Sequence, residues 1–112
     1  MAAIKIKLTR DEARTVDSFF DYWFLLCDSK AKHPMNVERD IMMWILLRSV
    51  LIHSRKKFLS RLNGFAQRFT FSFNDFEAIT LIEFLKMQPI PLDQVWLCNL
   101  RQRIIDTLHP QI

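Results

Sequence analysis

Two stretches of this chain spell out the same local structure. Residues 4–8, IKIKL, set Ile4, Ile6 and Leu8 on one side and Lys5 and Lys7 on the other. Residues 69–73, FTFSF, oppose Phe69, Phe71 and Phe73 to Thr70 and Ser72 in the same way. A period of two marks a strand with one buried face. Each stretch runs directly into a helix start, Thr9 before RDEA and Asn74 before DFEA. Thr and Asn are good N-caps, and Glu12 and Glu77 fall three residues later, where a carboxylate can return to the cap amide. A shift of 65 residues superposes the two regions and makes Glu12/Glu77, Ala13/Ala78, Thr15/Thr80 and Phe19/Phe84 identical. The pattern predicts an internal pseudo-repeat.

Helical periodicity fills the rest of each half. Helix one, about Arg10 to Cys27, gathers Val16, Phe20, Trp23, Phe24 and Cys27 on one side, with Asp17, Ser18 and Asp21 opposite. DSKAKHP reads as a loop, and Asn36 is placed to cap helix two, about Val37 to Leu62. Gly64, the only glycine, stands just past the end of that helix, where a left-handed C-cap suits glycine best. Helix three runs from about Asp75 to Met87. Helix four runs from about Leu92 to Leu108, with Val95, Trp96, Leu100, Ile104 and Leu108 as its stripe. One glycine and four prolines in 112 residues is little punctuation, which favours long helices over a many-turned sandwich. The expected class is mainly α, reaching α+β only through a short ribbon. We expect one domain over residues 1–112: a four-helix bundle built from two pseudo-repeated β-α-α halves, about 4–62 and 69–108, with a short two-stranded antiparallel β ribbon.

Helix two carries the strongest assembly signal. MMWILLRSVLI, residues 42–52, is apolar around nearly its whole circumference. Trp44, Leu47, Leu51, Phe58 and Leu62 make one stripe, and Ile41, Ile45, Ile52 and Leu59 a second, roughly 80–100° away at 100° per residue. A helix apolar all round is expected to be enclosed, touching the other three over most of its girth. The strip of Met42, Met43, Leu46 and Val50 then needs a partner beyond the chain, and a homodimer interface is the expectation. Arg48 lies in the same run and calls for a carboxylate, with Asp17, Asp21 and Glu83 as candidates, or else an escape along its own stem to water.

Signals for chemistry are sparse. His33, His53 and His109 have no Cys, His or carboxylate at metal-ligand spacing. Cys27 and Cys98 read as packing residues. With one glycine there is no phosphate-cradling loop. No cofactor, metal site or catalytic set is therefore expected, and the reading is a non-enzymatic scaffold or adaptor that binds itself and an unidentified protein. Met42, Met43, Met87 and Trp96 could line a groove for such a partner. The alternative is a nucleic-acid accessory. The net charge is +4, and candidate phosphate contacts are Arg55, Lys56, Lys57, Arg61 and Arg68, with Lys5 and Lys7 on the ribbon. The run from Ile41 to Val50 is too short to span a membrane, and the N-terminus lacks a secretory signal's apolar core. A cytoplasmic location, with no membrane partner, is the corresponding expectation.

Overall fold

The antiparallel ribbon and the two capping boxes form in a computed structural model of the chain, which describes residues 3–32 and 37–112. The elements run β1 (Ile4–Thr9), α1 (Arg10–Ala31), α2 (Glu38–Leu62), β2 (Arg68–Phe73), α3 (Asp75–Met87), α4 (Val95–Leu108) and a final 3-10 turn (His109–Gln111). The fold is thus mostly helical, with four helices and one two-stranded sheet among the described residues. β1 and β2 pair antiparallel in the register Ile4↔Phe73, Ile6↔Phe71 and Leu8↔Phe69. All six of these side chains are buried, so the alternation in sequence becomes one greasy face and one polar face.

Both helix starts close as capping boxes. The Thr9 hydroxyl accepts from the Glu12 amide while the Glu12 carboxylate accepts from the Thr9 amide, and Asn74 and Glu77 do the same. Thr15 and Thr80 each donate a hydroxyl to the carbonyl four residues back, Asp11 and Phe76. Asn36, the expected cap of α2, lies outside the described residues, as does His33.

Aromatic side chains fill the centre. Trp23 and Phe20 of α1 meet edge to face at 4.8 Å, and Trp23 also approaches Phe84 of α3. Phe58 of α2 stacks on Phe71 of the ribbon at 4.3 Å and tilts against Phe20. One fully buried ring on α2 therefore joins strand, α1 and α2.

Three expectations need correction. First, α2 is not the enclosed helix: it packs along α1 and against α3, and only Leu51, Ser54 and Phe58 of it are buried. The short α3 is the internal one, with seven of thirteen residues buried. The reason is that α3 lies under β2 and between α2 and α4. Second, Gly64 has no positive φ, and a Cβ there would meet only ordinary van der Waals distance. The end of α2 is held by Arg10 instead. Its guanidinium donates to the carbonyls of Leu62 (2.9 Å), Ala66 (3.0 Å) and Gly64, a cation seated where a helix leaves its carbonyls unpaired. Third, α4 begins at Val95, because residues 88–94 form an extended and turned approach through Pro89 and Pro91. Its inward stripe is Leu100, Ile104 and Leu108, while Val95 and Trp96 are exposed.

Candidate interaction surfaces

The outer face of α2 is apolar where it meets water. Met42 is 60% exposed, Met43 53%, Ile45 49% and Leu46 54%, whereas Val50 is half-buried at the edge of the strip. Among the described residues, none folds over the strip to bury it. Beside it lies an apolar groove of about 230 Å³ between α2 and α3, walled by Trp44, Leu47, Phe76, Ile79 and Met87. Met43 stands one turn before Leu47 on the same side of α2, so strip and groove are continuous. Helical periodicity named the strip but not the groove. Phe76 and Ile79 sit in a helix whose other side is core, and only the tertiary arrangement shows which side is which. Trp96, expected near Met87, is not among the groove's walls.

Charged side chains join the inner flank of α2 to α1. Arg48 pairs with Asp28 at 2.9 Å and lies over the Phe24 ring, not with Asp17, Asp21 or Glu83. α1 continues through Ala31, four residues beyond its expected end, which brings Asp28 into helix opposite Arg48. Both partners keep over two-fifths of their side chains in water, so the pair contributes little stability. Arg55 reaches Asp17 at 3.4 Å and Asp21 at 2.7 Å, with its guanidinium over Phe24. Burial pushes the Asp17 carboxyl above its ordinary pKa; the Arg55 guanidinium pulls it down without cancelling that, and the neighbouring Asp21 adds a smaller push upward. Arg55 would lose affinity for its proton through burial, but the two aspartates outweigh that and keep it charged.

The seven candidate phosphate contacts divide into two sets. Arg55 is committed to α1, and Lys57 donates to Ser72 O at 2.7 Å and Glu77 at 3.1 Å. The other five, Lys56, Arg61, Arg68, Lys5 and Lys7, have no carboxylate partner among the described residues. Lys5, Lys7 and Arg68 project from the polar face of the ribbon, with Lys7 opposite Thr70. Lys56 and Arg61 face β2 across a trough made of two connected cavities of about 470 and 410 Å³ that share Ser60, Arg61 and Thr70. Phe65, wholly bare at 98% exposure, lines the far end of this trough. The sequence offers one hint of it: an aromatic in NGFAQ, outside any periodic element, has no pattern to bury it.

Cys27 is buried, and burial pushes its thiol up to about 11, the behaviour of an inert packing residue. Among the described residues no group of three or more His, Cys, Asp or Glu side chains is placed to hold a metal ion. No helix among them is long and apolar enough to cross a membrane. Set against known protein families, curated proteins and solved structures, the chain finds no match.

Proposed function

We propose that this protein acts by binding rather than by catalysis, as a homodimeric scaffold joined through the apolar face of α2. The observation that carries the reading is the half-bare strip of Met42, Met43 and Leu46, with Ile45 beside it and Val50 at its edge. Contiguous apolar surface of this kind marks an interaction site on a folded domain.

Magnitudes refine the interface. Full burial of a Leu, Ile or Met side chain is worth about 1.5–3 kcal/mol, so completing the burial of a half-exposed one gains about 1 kcal/mol. Four such residues on each of two copies give about 8 kcal/mol gross, comparable to the cost of association. The strip alone makes no stable dimer. The groove beside it, with Phe76, Ile79 and Met87 each more than two-fifths exposed, supplies the further area. The proposed interface is therefore strip and groove together, with α2 of one copy lying along the α2–α3 groove of the other about a twofold axis.

Within each copy we read the two β-α-α segments as halves of one duplicated bundle in a single domain, and its place of action as the cytoplasm. The matched capping boxes and the matched threonine hydrogen bonds support the duplication. Size-exclusion chromatography with light scattering tests the assembly. The expected mass at micromolar concentration is twice 13.4 kDa, about 26.8 kDa, and a steady 13.4 kDa at all concentrations refutes it.

A further inference from the structure

The trough between α2 and β2 has a chemistry unlike the apolar interface. Its α2 wall presents His53, Lys56, Ser60 and Arg61, and its β2 wall Arg68 and Thr70. No carboxylate is among the side chains lining it, and Lys56, Arg61 and Arg68 have no ion pair among the described residues. Lysines on a ribbon guard free strand edges against aggregation. Lys56 and Arg61 stand on a helix, where there is no edge to guard.

The strand edge adds a second feature. The amide and carbonyl of Lys5 turn outward, to the side-chain amide of Gln111 at 3.0 and 2.9 Å. In an antiparallel ladder the residues opposite such outward positions turn outward as well. Ser72, Thr70 and Arg68 thus present backbone groups to the other edge of the ribbon. Ser72 O is taken by Lys57, while Thr70 and Arg68 look onto the trough. At its far end Phe65 offers an uncovered aromatic face. A cationic groove, free donors and acceptors along one wall and a bare aromatic at its end are the parts that hold a single nucleic-acid strand: cations follow the phosphates and the ring stacks a base.

We propose that this trough binds single-stranded nucleic acid, with Lys56, Arg61 and Arg68 on phosphates and Phe65 stacked on a base. The proposal does not depend on the dimer, since the trough is lined by residues 53–61 of α2, further along the helix than the Met42–Leu46 strip.

Fluorescence anisotropy with a labelled oligothymidylate of about 15 nucleotides tests it, spanning the footprint of a small single-strand site. Binding at low salt is expected to be tighter than about 10⁻⁴ M, and the plot of log K against log salt to have a slope near −2, from about three phosphate contacts at roughly −0.7 each. Phe65→Ala is expected to weaken binding about five- to 150-fold, the usual cost of losing one base stack. Lys56→Glu with Arg61→Glu is expected to flatten the salt slope and reduce affinity at least tenfold. These three side chains are exposed and unpartnered, and the far-UV spectrum of each variant checks that it folds. No binding at low salt overturns the proposal. So does a duplex of equal length that binds as tightly, or an affinity that ignores Phe65→Ala. Polyglutamate displacing the oligonucleotide at equal charge concentration also overturns it, assigning the trough to an acidic polypeptide.

Discussion

Replacing Arg10 with Ala removes three hydrogen bonds that cross from the first residue of α1 to the end of α2. The bond to Leu62 O is part-buried, and those to Ala66 and Gly64 are exposed. A hydrogen bond involving a charged group is worth about 1.5–3 kcal/mol when shielded and much less when water can replace it. Full weight for the Leu62 bond and a small share for the other two gives a loss of about 2–3 kcal/mol. The stacking of Arg10 over Phe69, at 5.4 Å, lies inside that range. Urea unfolding followed by far-UV circular dichroism reads the loss as a lower midpoint at unchanged slope. The melting temperature should fall by roughly 10 °C, at about 4 °C per kcal/mol for a domain of this size. Arg10→Lys should recover only part of the loss, because an ammonium cannot span the three carbonyls as a planar guanidinium does. Hydrogen exchange should accelerate first at residues 63–67. A variant within 0.5 kcal/mol of wild type would falsify the claim that Arg10, and not a glycine cap, ends α2.

Phe58→Ala should cost about 3–5 kcal/mol, measured by the same urea titration, since a fully buried ring stacked on Phe71 leaves a cavity joining ribbon and helices. An effect below 1 kcal/mol would mean the ribbon is not anchored there. Glu12 carries a pH signature. Burial would lift its carboxyl, but the Thr9 amide and the Arg103 guanidinium together hold it below the ordinary value. A lowered folded pKa gives stability that is present above the unfolded value of about 4.3 and lost as pH falls through the folded one. The gap between wild type and Glu12→Gln should thus be open at neutral pH and close in acid; a gap constant from pH 7 to 2 contradicts this. Titration with a disulfide reagent at pH 8 should find Cys98 reacting in the native protein and Cys27 only after denaturation, because one thiol is part-exposed and the other sealed. Equal rates for both would show that the α1 core opens readily.

Local signals were legible where a few neighbouring residues decide the outcome. Ile4, Ile6 and Leu8 must share a face once the chain is extended, and a Thr or Asn followed three residues later by Glu closes a box within a single turn. The stripe of Trp44, Leu47, Leu51, Phe58 and Leu62 on α2 also faces the core as its spacing demands. Features set by distant parts of the chain were not legible. Arg10 meets carbonyls 52 to 56 residues away. Arg55 and Lys57 look like free cations until the fold brings Asp17, Asp21 and Glu77 to them. The uniform apolarity of residues 42–52 also misled in one respect. It suggested enclosure by the chain's own helices, whereas one side packs inward and the other is left bare, a distinction that composition around a helix cannot carry.

The central claim is that this bare side of α2 is where two copies meet. Sedimentation equilibrium on wild type, Leu46→Glu and Leu59→Glu tests it most directly. Leu59 is also exposed on α2, 43% against 54% for Leu46, but points elsewhere around the helix, so it controls for a charge placed on any exposed leucine. Wild type and Leu59→Glu should sediment as two copies and Leu46→Glu as one, with identical far-UV spectra. All three sedimenting as one copy, or Leu46→Glu remaining paired, would contradict it.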